Sequence, residues 1–77
     1  MKASKVEFRV NWNHNNDARS AVYSAANWGS VGAAEGAAIR FARVLAAGES
    51  GDGNTSVTGL EVIRRDNPLA EGRAIPF

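Results

Sequence analysis

Apolar and polar residues alternate strictly near the start of the chain, and this pattern restricts the fold more than any other feature. Apolar side chains occupy every second position from Val6 to Trp12, with charged or polar side chains between them. A period of two with β-branched and aromatic residues on one side predicts a half-buried strand. Residues 13–17 are rich in Asn and Asp, which tolerate left-handed backbone, so a turn should follow.

The next segment, residues 18–28, fits two interpretations. As a strand it would form a hairpin with the first strand and place Val22 and Tyr23 on opposite faces. As a helix it would have Asp17 as its N-cap, and its apolar face would run to Trp28. We favour the strand, because three strands shield a helix better than two strands can.

A longer helix is predicted between Ser30, a good N-cap, and Gly48, a good C-terminal stop. One stripe of this helix is apolar and comprises Val31, Ala34, Ala38, Phe41, Ala42 and Leu45. The opposite face carries Gly32, Ala33, Gly36, Arg40, Arg43 and Ala47. Each glycine inside a helix costs about 0.8–1 kcal/mol relative to alanine, so packing must hold the first half of the helix.

The remaining chain predicts one further strand and an irregular end. The polar segment 48–56 reads as a loop, and residues 57–65 as a strand with Leu60 and Val62 on one face. Residues 66–77 have no clear period and should form an irregular tail that folds over the sheet, adds a short edge strand or docks on another chain. Together these segments predict a single α+β domain over residues 1–77. Its two layers would be an antiparallel sheet of about three strands and one main helix, in the order ββαβ.

Composition excludes several classes of function. The chain has 77 residues, no cysteine and one histidine, so disulfides, thiolate chemistry and multi-histidine zinc sites are not expected. Its net charge of +1 provides no strong field for nucleic acid or an anionic membrane. The charged residues near the N-terminus interrupt any signal-peptide core, and no apolar run reaches membrane-spanning length. We therefore expect a cytoplasmic protein without a cofactor or a membrane association.

The candidate chemical sites are weak. His14 lies in the predicted turn near Asp17, where a solvated side chain is a simpler interpretation than a general base. The segment from Asp52 begins like a calcium loop but has Val57 and Ile63 where that loop needs Gly and Glu. Residues 29–32 could hold an anion at a helix N-terminus, but shaping the turn before the helix is the simpler explanation of these glycines. No catalytic residue or metal ligand is predicted.

Arginine provides the stronger signal, because it outnumbers lysine seven to two. Arginine forms bidentate bonds with carboxylates and phosphates and is enriched at interfaces. The predicted partner-binding residues are Arg40, Arg43, Arg64 and Arg65. They would form one basic cluster if the helix packs on the strand that ends with the last two. The small residues beside Arg40 and Arg43 would let another backbone approach the helix closely.

The layout of a hairpin-like start, the Ala/Gly-rich helix SVGAAEGAAIRFARVLAAG and the strand VTGLEVIRR resembles that of small phage-encoded inhibitors of bacterial defence, including several anti-CRISPR proteins. The resemblance covers residues 5–65 and concerns architecture, without a shared motif. It implies a non-catalytic inhibitor or adaptor that binds a larger host protein or nucleoprotein complex.

Three alternatives stay open beside this hypothesis. The first is a small nucleic-acid-binding module, in which Arg9, Trp12 and Tyr23 would add stacking groups. The second is a homodimer, formed through the small-residue helix face or by pairing of exposed edge strands. The third is an enzyme or ligand-binding subunit whose site forms only at a dimer interface.

Overall fold

The structure is a computed structural model that describes residues 5–47, 57–67 and 69–77. Four antiparallel strands form one sheet in the order β2-β1-β3-β4, and the main helix covers one of its faces. The elements are β1 (Glu7–His14), β2 (Asp17–Ser24), α1 (Ala25–Trp28), α2 (Val31–Ala47), β3 (Val57–Arg65) and β4 (Arg73–Ile75). The predicted α+β class and two-layer arrangement are confirmed. The described residues contain one strand and one short helix more than the predicted order ββαβ.

A two-residue turn joins β1 to β2. Asn15 and Asn16 both have positive φ, at 52° and 71°, and the flanking residues His14 and Asp17 are paired. Type I′ turns require positive φ at both central positions, and their twist matches that of the strands that they connect. Asn adopts this backbone more readily than most residues do. The predicted turn is therefore confirmed at residues 15 and 16, while the rest of segment 13–17 belongs to the two strands.

The ambiguous segment 18–28 contains both predicted structures, one after the other. It pairs with β1 as a strand up to Ser24, and residues 25–28 then form a single helical turn. Ser24, and not Asp17, is the N-cap, because its hydroxyl oxygen accepts a hydrogen bond from the Asn27 amide at 3.1 Å. The prediction of a strand is therefore correct for β2 and wrong for the last four residues, where a side-chain cap ends the strand.

Two residues between α1 and α2 set the start of the main helix. Gly29 has φ of 89° and forms the C-cap of α1, with its amide donating to the Ala25 carbonyl at 2.9 Å. The Ser30 hydroxyl accepts a hydrogen bond from the Ala33 amide at 3.1 Å and so caps α2 as predicted. Gly29 shapes the turn before α2, whereas Gly32 lies inside the helix. The predicted stop at Gly48 and the loop 48–56, with the pattern beginning at Asp52, lie outside the described residues.

The core lies between α2 and the sheet. Three alanines, Ala34, Ala38 and Ala42, have no exposed surface, and they pack on Phe8, Val10 and Val62, which are equally buried. Because the helix contributes methyl groups here, its backbone lies close to the sheet and the sheet provides the large side chains. Other apolar residues of the predicted stripes pack around this cluster, namely Val6, Trp12, Val31, Phe41, Leu45 and Leu60.

The C-terminal segment adds an edge strand to the sheet. Residues 73–75 pair with β3, with Ile75 opposite Val62, and Ile75 packs against the core. The Asn67 side chain accepts a hydrogen bond from the Leu69 amide at 2.9 Å, and the Asn67 carbonyl accepts one from the Ala70 amide at 3.0 Å. Of the three placements considered for this tail, the structure has the short edge strand, so residues 66–77 are less irregular than predicted.

A bulge interrupts the pairing of β1 with β3. The register shifts between Asn11 and Asn13, and Gly59 of β3 has φ of 63° at this point. A glycine with left-handed backbone is the residue that one common type of bulge requires. We predict that Gly59→Ala lowers the free energy of unfolding by about 1–2 kcal/mol, because left-handed backbone penalises a Cβ atom.

Chemical denaturation checks this prediction, with a second variant to isolate the cause. A Cβ at position 59 would also lie 2.8 Å from Nδ2 of Asn13. If backbone strain dominates, Gly59→Ala should cost nearly as much in an Asn13→Ala background. A cost that disappears in that background would assign the effect to the side-chain contact and contradict the strain argument.

The inner face of α2 predicts a second result. Ala38→Leu should lower the free energy of unfolding by about 1–3 kcal/mol, because added methylenes in a well-packed core force side chains and backbone to shift. Ala33 is exposed on the same helix. Ala33→Leu should therefore change stability by less than about 0.5 kcal/mol. Equal effects of the two substitutions in thermal denaturation would contradict the close approach of α2 to the sheet.

Candidate functional site

The outer side of α2 carries a shallow, open depression of about 500 Å³ that is lined by this helix alone. Its residues recur at intervals of three and four, so they follow one stripe along the helix. We call this stripe the α2 groove. It consists of Gly32, Glu35, Gly36, Ile39, Arg40, Arg43, Val44 and Ala47. Five of these residues belong to the predicted outer face, which did not include Glu35, Ile39 and Val44.

The two glycines open the N-terminal half of the groove. A Cβ atom built on Gly32 or on Gly36 would meet nothing within 4 Å. Neither residue has the positive φ that distinguishes Gly29 and Gly59. Packing and backbone conformation within the described chain therefore do not require glycine at either position, although each glycine weakens the helix.

The C-terminal half of the groove combines apolar surface with charge. Val44 is 42% exposed, and Ile39 is half-buried without belonging to the core. Arg40 and Arg43 are exposed, and the carboxylate of Glu35 lies toward the other end of the groove. The ion pairs among the described residues involve Arg9, Arg19 and Arg64, so these three groove charges have no partner within the described chain.

The four arginines predicted to bind a partner lie on different surfaces. Arg40 and Arg43 share the α2 groove, whose lining includes neither Arg64 nor Arg65. Arg64 lies on the helix side of the sheet, with its guanidinium 5.7 Å from the centre of the Phe8 ring. Its Nε atom donates to Asp66 at 3.0 Å. The alternation of β3 directs Arg65 to the opposite face of the sheet.

Trp12, Tyr23 and Phe41 pack between the sheet and the helix, and Trp28, which is 49% exposed, lies beside Tyr23. The rings of Trp12 and Phe41 meet edge to face with their centroids 5.2 Å apart, and Tyr23 lies 6.3 Å from Phe41 and 5.8 Å from Trp28. Burial raises the pKa of the Tyr23 phenol. Arg9 belongs to the other face of the sheet, so the three stacking groups suggested for nucleic acid do not share one surface.

The uncovered face of the sheet is polar and largely paired with itself. A depression of about 350 Å³ lies near the hairpin, and its lining includes Asn11, Ser20 and Glu61. The Asn11 amide donates to the Glu61 carboxylate at 3.2 Å. Farther along β1, Arg9 and Glu7 form an ion pair at 3.7 Å. The pairing is incomplete, because Glu7 Oε2 and Arg9 Nε are buried without a hydrogen-bond partner among the described residues. This face lacks the open glycines of α2, so the α2 groove is the stronger candidate.

The histidine and its neighbouring carboxylate do not form a pair. His14 and Asp17 are opposite each other at the end of the hairpin, but the Asp17 carboxylate accepts a hydrogen bond from Arg19 Nε at 3.1 Å. Within residues 5–47, 57–67 and 69–77, no group of three His, Asp or Glu side chains is placed to hold a metal ion. Neither helix of the described part is long and apolar enough to cross a membrane.

The comparisons with known proteins provide no relative. The chain matches no protein-family model, no curated protein and no solved structure.

The open space at the glycines predicts the result of filling it. Gly36→Ala should raise the free energy of unfolding by about 0.8–1 kcal/mol, because alanine is the better helix former and its methyl group would clash with nothing in the described part of the chain. In a domain of this size, that gain corresponds to an increase in melting temperature of about 4–8 °C. The reverse change at an exposed position, Ala33→Gly, should cost a similar amount. A loss of stability in Gly36→Ala would show that the groove is filled in the isolated chain.

Proposed function

We propose that this chain is a non-catalytic protein-binding module, an inhibitor or adaptor, and that the α2 groove covers a surface on a larger protein or nucleoprotein complex. The open space at Gly32 and Gly36 is the observation that supports this proposal most. Two exposed glycines together weaken the helix by about 2 kcal/mol, and nothing in the described chain requires them. A partner backbone that approaches α2 closely would require them.

The charges of the groove indicate the chemistry of that partner. Arg40 and Arg43 are one helical turn apart, exposed and without acidic partners among the described residues. Arginine binds carboxylates through two parallel hydrogen bonds and is enriched at protein interfaces. The partner surface should therefore present carboxylates to the two arginines and an apolar patch to Ile39 and Val44.

The resemblance of the layout to phage-encoded inhibitors suggests the class of target. A subunit of a bacterial defence complex, bound in the cytoplasm of a host cell, is the target that this resemblance implies. The non-catalytic role rests on the composition, since the chain has no cysteine and a single histidine. Arg64 and Arg65 are not part of the proposed interface, because the first is paired with Asp66 and the second lies on the other face of the sheet.

The nucleic-acid alternative has less support from the geometry. Trp12 and Tyr23 pack against Phe41 between the layers, so they do not offer ring faces beside Arg40 and Arg43. A salt titration separates the two functions. Binding to duplex DNA should weaken with a slope of about 0.9 in log–log form for each phosphate contacted.

Capture from the host lysate tests the proposed function. The tagged chain should retain a protein after nuclease treatment, and the variant Arg40→Glu/Arg43→Glu should bind the same purified protein at least about tenfold more weakly. The control Arg19→Glu/Arg73→Glu makes the same change in net charge at exposed positions outside the groove. It should bind nearly as tightly as the unchanged chain.

Two results would contradict the proposal. Capture that disappears with nuclease would favour the nucleic-acid alternative. Equal losses of affinity in the groove variant and in the control would show that total charge, and not the groove, governs binding.

A further inference from the structure

We propose that, in the absence of a larger partner, the α2 groove binds the α2 groove of a second copy of this chain in an antiparallel, twofold-symmetric dimer. This inference rests on the proposed function, since it takes the groove to be a protein-binding surface, and it names the occupant. The order of charges along the groove, its exposed apolar residues and its open glycine half favour this dimer.

Two of the three groove charges, Glu35 and Arg43, can pair between copies in one orientation only. Glu35 and Arg43 lie four residues to either side of Ile39, and all three residues line the groove. A twofold axis at Ile39, perpendicular to the helix, would place Glu35 of each copy opposite Arg43 of the other. A parallel pair would oppose like charges at both positions. The two resulting ion pairs therefore favour the antiparallel arrangement, and symmetry provides both from a single contact.

The shapes of the two halves fit the same orientation. In the antiparallel pair, the half that carries Val44 meets the half that carries Gly32 and Gly36. Val44 is 42% exposed, and each glycine faces open space within its own chain. The missing side chains would leave room for the valine, and small residues let helix backbones approach closely. Ile39 would meet its symmetry mate at the axis and cover apolar surface there.

Arg40 distinguishes this dimer from the binding of an acidic partner. Arg40 lies next to the axis, so the two copies of this arginine would be near each other and would not face a carboxylate. The dimer should therefore tolerate Arg40→Ala or become tighter, whereas Arg43→Ala should weaken it. An acidic partner should lose affinity with either substitution.

The expected affinity is low. A 17-residue helix is about 25 Å long, so two paired helix faces alone bury less than the roughly 1,200 Å² that is typical of stable complexes. The net charge of +1 adds little repulsion between copies. We expect reversible dimerisation in the range of about 10–500 µM, weakened by salt because the ion pairs are near the surface.

A charge-swap cycle tests the dimer. Sedimentation equilibrium of the full chain up to about 1 mM should show dimers, as the low expected affinity requires. Glu35→Arg and Arg43→Glu should each weaken dimerisation by about tenfold or more. The double variant Glu35→Arg/Arg43→Glu should recover it to within about threefold, because the swapped charges again pair across the axis. Far-UV circular dichroism checks that each variant stays folded.

Cross-linking provides a test that does not depend on charge variants. The chain has no cysteine, so a single introduced cysteine reports one position. Ile39→Cys at the axis should form an intermolecular disulfide much faster than Val22→Cys, which is exposed on the edge strand β2. Disulfides need Cα atoms within about 7 Å, a distance that closely packed helices reach at a twofold axis.

Each outcome decides between the proposals. The proposed dimer would be overturned if the wild-type chain stayed monomeric at all these concentrations. It would also be overturned if neither single charge variant changed the dimerisation constant, or if Val22→Cys cross-linked faster than Ile39→Cys. The proposed function would survive these results if Arg40→Glu/Arg43→Glu still lost its captured protein. The opposite result is also possible. If the charge swap restored dimerisation, and Arg40→Glu/Arg43→Glu still captured the same protein from the lysate, the dimer would be supported and the proposed function overturned.

Discussion

The close contact of three alanines with the sheet is the constraint on which the rest of the structure depends. Ala34, Ala38 and Ala42 are one helical turn apart and fully buried. Because a methyl group is all that each contributes, α2 lies close to Phe8, Val10 and Val62, and the sheet provides the volume of the core. A chain of this size buries only about 60% of its unfolded surface, so it has little apolar surface elsewhere to compensate for a poor fit at this contact.

The same arrangement explains why the fold does not depend on the outer side of α2. The inner alanines favour the helix intrinsically and anchor it, which offsets the glycines at positions 32 and 36. The first turn of the helix needs no side chain from its outer face either, since the Ser30 hydroxyl oxygen caps it. The α2 groove can therefore carry charge, apolar side chains and open space without loss of the fold. This independence makes the groove a better candidate for binding than the uncovered face of the sheet, where Asn11 pairs with Glu61 and Arg9 with Glu7.

Sequence patterns predicted the elements with the strongest periodicity and missed those that depend on single contacts. β1, α2 and β3 each have a clear apolar period, and their faces are as predicted. The end of β2 depends on one hydrogen bond to the Ser24 hydroxyl, which no periodicity reveals. β4 is three residues long and has no period to detect. The bulge had a signal that could have been used, because an isolated glycine within a strand pattern, here Gly59, often marks one.

The candidate site shows a related limit of reasoning from sequence. The sequence suggested that four arginines form one cluster. Two of them lie on the helix α2 and two on the strand β3, and these elements direct their side chains differently. Consecutive residues of a strand point to opposite faces, so Arg64 and Arg65 cannot contribute to one surface. Residues three apart on a helix point the same way, so Arg40 and Arg43 can. Of the four predicted arginines, only the two on the helix can therefore share one surface. The strand arginines serve other contacts, as the pairing of Arg64 with Asp66 shows.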